Sequence, residues 1–527
     1  MRPRFWNPPV ELSAAEQKVV KRIKRAKLFT FLRQVRHELF DEAFQAELAT
    51  IYDDKAKGHP PVAPAQLCLT LILQAYTGVS DDEAIEALFM DRRWQLVLDC
   101  LEGEEAPFSK GTLVEFRAAL IAKGMDRRLV ERTVEMAQTR SGVSPRSLRA
   151  ALDSSPLWGA GRVEDTYNLL GHALKKALSV IARQQGRELT EVAVEAGAPL
   201  VAGSSLKTAL DLNWDDPDER QVALVLTLQA LTQAEVWIAQ QSLEIASPTP
   251  PAVTEALKAA HQVVQQDVET TAQGRVQLRQ GVAKDRRISV EDGEMRHGRK
   301  SKSKRVDGYK RHLLHDLDSG LVPVVGITPA NAPEASVTDA IELDLQTQNR
   351  RLSELHIDRA YLSSNLVKQR SDELVIYCKA WSVQARPGQF GKTAFTLDWE
   401  QQRVICPNQV SVPLRLGKPV KFPDKRCDPC PLKPQCTTSK SGRSLSIHPD
   451  EPLLEELRQR QTTPQGRARL RQRVAVEHSL AHVGQWQGQK ARYRGQRKNL
   501  FDLRRMAIVH NLHVIARTPV QAQQQTN

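Results

Sequence analysis

The spacing of apolar positions changes several times along the chain, and each change marks a different kind of element. Over residues 12–140 the apolar positions recur at helical spacing. "SAAEQKVVKRIKRAKLFTFLRQV" sets such a stripe against a basic face. "GHPPVAP" (Gly58 to Pro64) breaks the pattern, and a helix is predicted over "AQLCLTLILQAYTG". "SDDE" (Ser80 to Glu83) and "TLVE" (Thr112 to Glu115) have capping-box spacing and predict two further helix starts. At "SLRAALDSS" the pattern becomes a short strand ending at Asp153. Residues 165–282 return to helical spacing, with "SPTPP" (Ser247 to Pro251) between two long helices. Two β-rich runs within Gly308–Asn331 then flank Asp318, Ser319 and Gly320, a hairpin signal. A helix ("APEASVTDAIELDLQ") and two strands ("LSELHIDRAYL", "ELVIYCKAW") follow. Residues 381–450 mix Pro, Gly and Cys with short strand-like pieces, and helix resumes from about Glu455 to Arg517.

Without its insertions the order is strand, hairpin, helix, strand, strand, helix. That order predicts an α/β core with a mixed sheet. The expected division is a helical N-terminal domain (1–145), which suits a DNA-binding domain and equally a plain helical bundle, the first core strand (146–164) and a mostly helical insertion (165–284). Core strands and a helix (285–380), a small Cys-rich insertion (381–454), C-terminal core helices (455–517) and a disordered tail (518–527) complete it. There is no internal repeat, P-loop or dinucleotide fingerprint, which argues against an ATP- or NAD-driven enzyme. The longest strongly apolar stretch, Leu67 to Tyr76, is about ten residues and too short to span a bilayer. The first residues lack an apolar signal region, and the seven cysteines are odd in number and mostly late. A cytoplasmic protein with no membrane partner is expected.

Charge adds a partner. The net charge is +13, and its distribution says more than its size. Residues 1–36 hold ten Lys/Arg against two acids, residues 284–311 eleven against five, and residues 458–505 thirteen against two. The rest of the chain is therefore net acidic. Basic charge concentrated in three places suggests a polyanion, because phosphate contacts gain from counterion release. Three solvated faces are the bland alternative.

Three acids stand out by position. Asp153 ends the first strand, Asp358 ends the strand containing Leu355 and Ile357, and Glu477 sits on a helix with the stripe Val476, Leu480 and Val483. Carboxylates at the ends of adjacent strands can lie side by side, and a late helix can add a third. Such hard oxygen ligands suit Mg²⁺ or Mn²⁺, and two ions together can activate water and stabilise a leaving oxygen. Each acid also has an ordinary role: Asp153 as a turn residue, Asp358 paired with Arg359, Glu477 paired with Arg473 one helical turn away. Cys406, Cys427, Cys430 and Cys436, spaced C-x₂₀-C-x₂-C-x₅-C, suit a structural zinc site or remain reduced thiols in a loop. Cys68, Cys100 and Cys378 lie in apolar segments and are expected in the core. In "ARYRGQRKN" an aromatic side chain, Tyr493, alternates with Arg492, Arg494 and Lys498, a composition suited to a DNA end.

Together these stretches resemble bacterial insertion-sequence transposases of the DDE superfamily. The resemblance rests on "LDSSPLWGAGRVEDTYNLLG", "GYKRHLLHDLDSGLVPVVGITPAN", "HIDRAYLSSN" and "RVAVEHSLAHVGQWQGQKARYRGQRKNLFDLRRMAIVHNL", with residues 58–117 similar to the helical N-terminal domain of such elements. It implies an RNase H-like catalytic domain with Asp153, Asp358 and Glu477 as the metal-binding triad. It also implies cleavage at the element ends and joining of 3′-OH ends to target DNA. The implied partners are double-stranded DNA, terminal repeats and target alike, and a second copy of the chain in a homodimer. DNA contacts are expected from Lys310, Arg473, Lys490, Arg492, Tyr493, Arg494 and Lys498. Members often carry Tyr-x₂-Arg-x₃-Glu-x₆-Lys around the Glu. Here Arg473 and Glu477 fit, but Leu470 stands at the Tyr position and Gly484 at the Lys position, so Lys490 or Lys498 would have to substitute. Two rival readings remain: a nuclease of the same fold that cuts without joining, and a domesticated DNA-binding protein.

Overall fold

A computed structural model describes residues 2–518, apart from 54–59, 104, 142–145, 245–247, 301–302, 382 and 384. The polar tail from residue 519 and Ser247 of the predicted break lie outside the described residues. The chain is a mixed α/β protein built on one six-stranded sheet. Its strands are β1 (Ser147–Trp158), β2 (Arg296–Arg299), β3 (Arg305–Asp316), β4 (Val324–Pro329), β5 (Arg351–Ile357) and β6 (Val375–Tyr377). β1 lies between β3, which is antiparallel to it, and β5, which is parallel; β6 extends the sheet beyond β5. The outer edge of β3 is shared, with β2 pairing its first residues and β4 its later ones. The β3–β4 connection contains Asp318, Ser319 and Gly320, as the turn residues predict, and Asp316 accepts from the Ser319 backbone N–H.

One prediction about β1 is corrected. The strand does not end at Asp153 but runs on to Trp158. β3 pairs with it throughout, from Asp316 opposite Ala150 to Gly308 opposite Trp158, and those hydrogen bonds keep the small and polar run Ser154–Pro156 extended. Gly308 has a φ of +153°, and a Cβ there would meet the Gly159 nitrogen at 2.2 Å, so glycine permits the close crossing.

Alternation along the strands sends side chains to two different cores. Leu148, Ala150, Leu152, Leu314, Leu355 and Ile357 pack with the Thr338–Thr347 and Glu451–Thr462 helices. Ala151, Leu313 and Val325 pack on the other side with Val476, Leu480 and Val483 of the Val474–Gln487 helix, and with the Gln496–Arg517 helix. Asp153 is in step with Ala151 and so faces the second group.

The helices from Thr166–Gln185 to Pro251–Asp267 share their own apolar cluster, including Leu174, Leu178, Ala234 and Val263. The Pro217–Gln241 stretch is, among the described residues, the one helix long and apolar enough to cross a membrane by length and composition. Its Ala230, Leu231, Ala234 and Ile238 are buried in that cluster. Residues 396–446 form short strands around Phe395, Val404, Phe422 and Leu445.

The N-terminal residues are helical, as their spacing predicts, with two differences. The Ser13–Val35 run forms two helices, Ala14–Arg22 and Lys27–Leu39. Cations crowd the break between them, and folding back lets Arg33 reach the buried Glu16 at 2.6 Å. The Ser80 capping box forms as predicted. The "TLVE" box does not: Ser109 is the N-cap, its hydroxyl accepts from the Thr112 N–H, and Thr112 lies inside the Lys110–Ala122 helix. The earlier serine starts the helix one turn sooner, so the Glu115 N–H lies inside the helix and is no longer an orphan donor.

The bundle is tied to the core through Asp126. This carboxylate is 1% exposed and accepts from Arg497 at 2.5 Å and from Arg504 at 3.1 Å. Asp126→Ala leaves Arg504 buried without that anion and is expected to cost about 3 kcal/mol. Chemical denaturation should show a lower midpoint for the N-terminal helices; an unchanged midpoint would mean that apolar packing alone holds them.

Candidate functional site

β5 ends at Ile357, which pairs with Leu152, whereas β1 continues for six more residues. Beyond Leu152, β1 therefore has a partner on the β3 side only. On its other edge it stays open until Trp158, which bridges to Lys490 and donates its backbone N–H to the Gln489 carbonyl at 2.9 Å. Between the end of β5 and that bridge lies a cleft of about 750 Å³.

The parallel register makes Asp153 and Asp358 neighbours, each one residue past a paired position. Glu477 approaches from the Val474–Gln487 helix, and all three carboxylates line the cleft together with Arg473 and Glu334. Asp153 accepts from the Ser154 N–H at 2.8 Å and from the Arg473 guanidinium. Burial pushes its pKa upward, opposed by these two donors and reinforced by the charges of Glu334 and Glu477. Arg473 also bonds Glu477 at 2.7 Å. Asp358 caps the short helical turn Arg359–Tyr361 through the Arg359 N–H. The ordinary helical pairing expected of Glu477 thus coexists with convergence of the acids.

Cations line the same cleft. Arg299, Lys300, Lys310 and Arg311 line it, with Gln485 and Gln489 from the helix side. Burial lowers the pKa of Lys310; its amine donates to the Ala332 carbonyl at 2.8 Å and lies 3.8 Å from Glu334. Arg299, Lys300, Arg311 and Glu334 were not singled out from the sequence. The period-2 pattern of β3 could have indicated Arg311, since it is in step with Leu313 on the helix-covered face.

The remaining candidates lie elsewhere. Arg492 donates to the carbonyls of Gly78 and Val79, and Arg494 pairs with Glu291 at 2.7 Å. Tyr493 leans edge-on against Phe501, with ring centroids 6.2 Å apart. Lys490 and Lys498 are exposed. A second basic cleft, of about 900 Å³, is lined by Lys18, Arg22, Lys24 and Arg25, and also by Arg92 and Arg93. The last two come from a helix with no basic run in its sequence. Cys406 joins Cys427, Cys430 and Cys436, and the four line one small cavity of about 30 Å³. Cys68 and Cys378 are buried as expected, and Cys100 is partly buried.

A negative cluster beside a positive wall, on a mixed α/β sheet, is an arrangement that can hold a polyanion and position it. Two family models match parts of the chain. Residues 405–516 match the Transposase DDE domain, and residues 19–119 match a Transposase domain (DUF772). The two matches support an insertion-sequence DDE transposase. No curated protein and no solved structure matches the chain.

Among the described residues no three His, Cys, Asp or Glu are arranged as a ready metal site. Arg473 holds Asp153 and Glu477 on its own guanidinium. The donor set still suits a hard divalent cation: three carboxylates line one cleft, and the pKa of Asp153 is raised first by burial and then by the charges of Glu334 and Glu477. Arg473→Ala should therefore strengthen Mn²⁺ binding, on the order of tenfold, by removing the competing cation from carboxylates that are only partly screened. Calorimetry at low salt measures this. Weaker binding in the variant would mean that Arg473 orders the acids for the ion.

Proposed function

We propose that this chain is a DNA transposase with an RNase H-like core. It binds the terminal inverted repeats of its own element, cleaves the DNA at the element ends, and joins the freed 3′-OH ends to target DNA. The observation that carries this reading is the placement of Asp153 and Asp358 abreast on parallel strands, facing Glu477, within a chain that matches transposase domains at both ends. The sheet order supports the RNase H-like assignment: a central strand with an antiparallel meander on one side and two parallel strands on the other. The residue ranges read from the sequence remain the proposed domains, from the N-terminal DNA-binding unit to the Cys-rich and helical insertions.

Asp153, Asp358 and Glu477 would hold divalent metal, Mg²⁺ or Mn²⁺ and two ions in all. When bound, these supply Lewis-acid activation of water and of the 3′-OH. The chain's own residues supply position and charge. The Ser154 N–H fixes one oxygen of Asp153, and the Val474–Gln487 helix brings Glu477 over the sheet. Lys310, with Arg299 and Lys300, offers phosphate contacts along the rest of the cleft. The cleft lined by Lys18, Arg22, Arg92 and Arg93 is a second surface for duplex DNA, suited to the terminal repeats. Arg492, Tyr493, Arg494, Lys490 and Lys498 border the bridge at Trp158 and complete the proposed DNA path. Two ends must be cut together, so the working form is a homodimer, acting in the cytoplasm.

Asp153→Asn keeps the side-chain volume and removes the charge. Cleavage and strand transfer on an end-sequence duplex should fall by about 10³-fold or more, with folding and DNA binding nearly intact. Asp358→Asn and Glu477→Gln should do the same, and the three losses should not add. If Asp153→Asn cuts at near wild-type rate, the triad is wrong. Cleavage without joining in the wild type would favour the nuclease reading.

Cys406, Cys427, Cys430 and Cys436 would hold a structural zinc ion. The 30 Å³ cavity among them has room for one small ion. The pKa of Cys436 is raised by burial first and then by the other three thiols, a crowding that a cation relieves. Purified protein should carry about one zinc per chain, lost in Cys430→Ser together with stability of residues 396–446. Zinc-free protein that melts like the zinc-loaded form would end this assignment.

A further inference from the structure

Arg311 is a buried cation without a bonded anion. Its side chain leaves β3 at the position paired with Ser155, and only 6% of the residue is exposed. Nε donates to the Ser155 hydroxyl at 2.7 Å. Nη1 donates to Gln487 Oε1 at 2.9 Å and to the Gly488 carbonyl at 3.0 Å. All three acceptors are neutral. Among the described residues no carboxylate lies within ion-pair distance. The anion it senses, Asp502, lies beyond Gln487, accepts from Gln487 Nε2 at 3.3 Å, and is already bonded to Arg505 at 2.5 Å. Burial lowers the Arg311 pKa to about 10.

The other terminal nitrogen, Nη2, donates to no acceptor among the described residues, and the side chain lines the cleft. It emerges beside Gly484. A Cβ at Gly484 would stand 3.1 Å from Nη2. Glycine there leaves a gap in the Val474–Gln487 helix through which the guanidinium reaches the cleft. A helix interior normally disfavours glycine, and here its cost is offset by the room it leaves for the Arg311 guanidinium. A guanidinium fixed by three neutral acceptors, with one face open to the cleft, is preorganised for an oxyanion. Phosphate fits its fork best.

We propose that Arg311 binds a phosphodiester of the DNA strand lying in the cleft, through the gap left by Gly484. It thereby provides, from a strand, a phosphate contact where no helix side chain can. This rests on the reading of the cleft as a DNA site, but it is tested through binding and not through cleavage.

The test compares wild type, Arg311→Gln and Gly484→Ala on a short end-sequence duplex, by fluorescence anisotropy over a range of salt. Gly484→Ala leaves Arg311 in place, favours the helix, and crowds Nη2, so it reports even if Arg311→Gln fails to fold. Both variants are expected to bind about tenfold more weakly, with the slope of log affinity against log salt lower by about one. Unchanged slope and affinity in the folded variants would overturn the proposal. Inorganic phosphate is titrated in parallel. If its binding depends on Arg311 while duplex binding does not, the site takes free phosphate and the proposal also falls. Duplex binding that depends on Arg311 in a wild type that never cleaves would uphold Arg311 and remove the cleavage reading instead. A wild type that binds no duplex removes both.

Discussion

The structure depends on one buried helix. From Phe501 to Leu512 every residue of the Gln496–Arg517 helix is buried, so it has no solvent face. One side packs on the sheet, where Asn511 takes the Val322 N–H at 2.8 Å and donates to the Val322 carbonyl. The other side meets the N-terminal bundle, where Arg505 donates to Gln74 and Asn511 to Thr133. The polar groups of such a helix must find partners inside the protein, because an unpaired buried charge costs several kcal/mol. Asp502 with Arg505, and Arg504 with Asp126, meet that demand. Asp502 lies on the same helix, but Asp126, Gln74 and Thr133 belong to the N-terminal bundle, so meeting the demand fixes that bundle against the sheet.

That constraint reaches the cleft through the preceding segment. The Val474–Gln487 helix and the Gln489–Ala491 bridge to β1 lead directly into the buried helix. Their position sets how far the open edge of β1 extends, and it sets Glu477 above Asp153. The unequal lengths of β1 and β5 do the rest. A strand paired on one side only exposes backbone and side chains at a sheet edge, a place that ordinary sheets protect. Here the exposed edge is short, lies inside the molecule's own fold, and carries the acids.

How much of this could be read in the sequence follows from what each signal measures. Turn residues at Asp318 to Gly320 and the serine and glutamate at Ser80 and Glu83 report local hydrogen bonds, and both formed. Apolar alternation gave the order of strand, hairpin, helix and strands, because burial on two faces leaves a period of two. The end of β1 was misplaced because "SSP" reads as a break, while pairing to β3 comes from residues more than 150 positions away. The second capping box failed because Ser109 caps the helix one turn earlier and leaves Thr112 inside it. Arg311, Arg299 and Arg92 were missed for a related reason: composition reports how many cations a stretch holds, whereas a cleft is assembled by tertiary packing. Asp153 and Asp358 were legible as a pair, since both follow an apolar alternation that parallel strands would bring abreast.

Along the cleft acids and cations lie close together, with Arg473 bonded to Asp153 and Glu477 and Lys310 3.8 Å from Glu334, and on the proposed reading that order has a mechanical consequence. A phosphodiester over the acids is repelled unless cations are present, whereas one over Lys310 and Arg311 is attracted without help. DNA can therefore be held by its flanking phosphates before the reactive position is charged for chemistry. Arg473 fits the same scheme. Bonded to Asp153 and Glu477, it offsets the negative charge of those two carboxylates, which would hold the metal and so would have to exchange this cation for it.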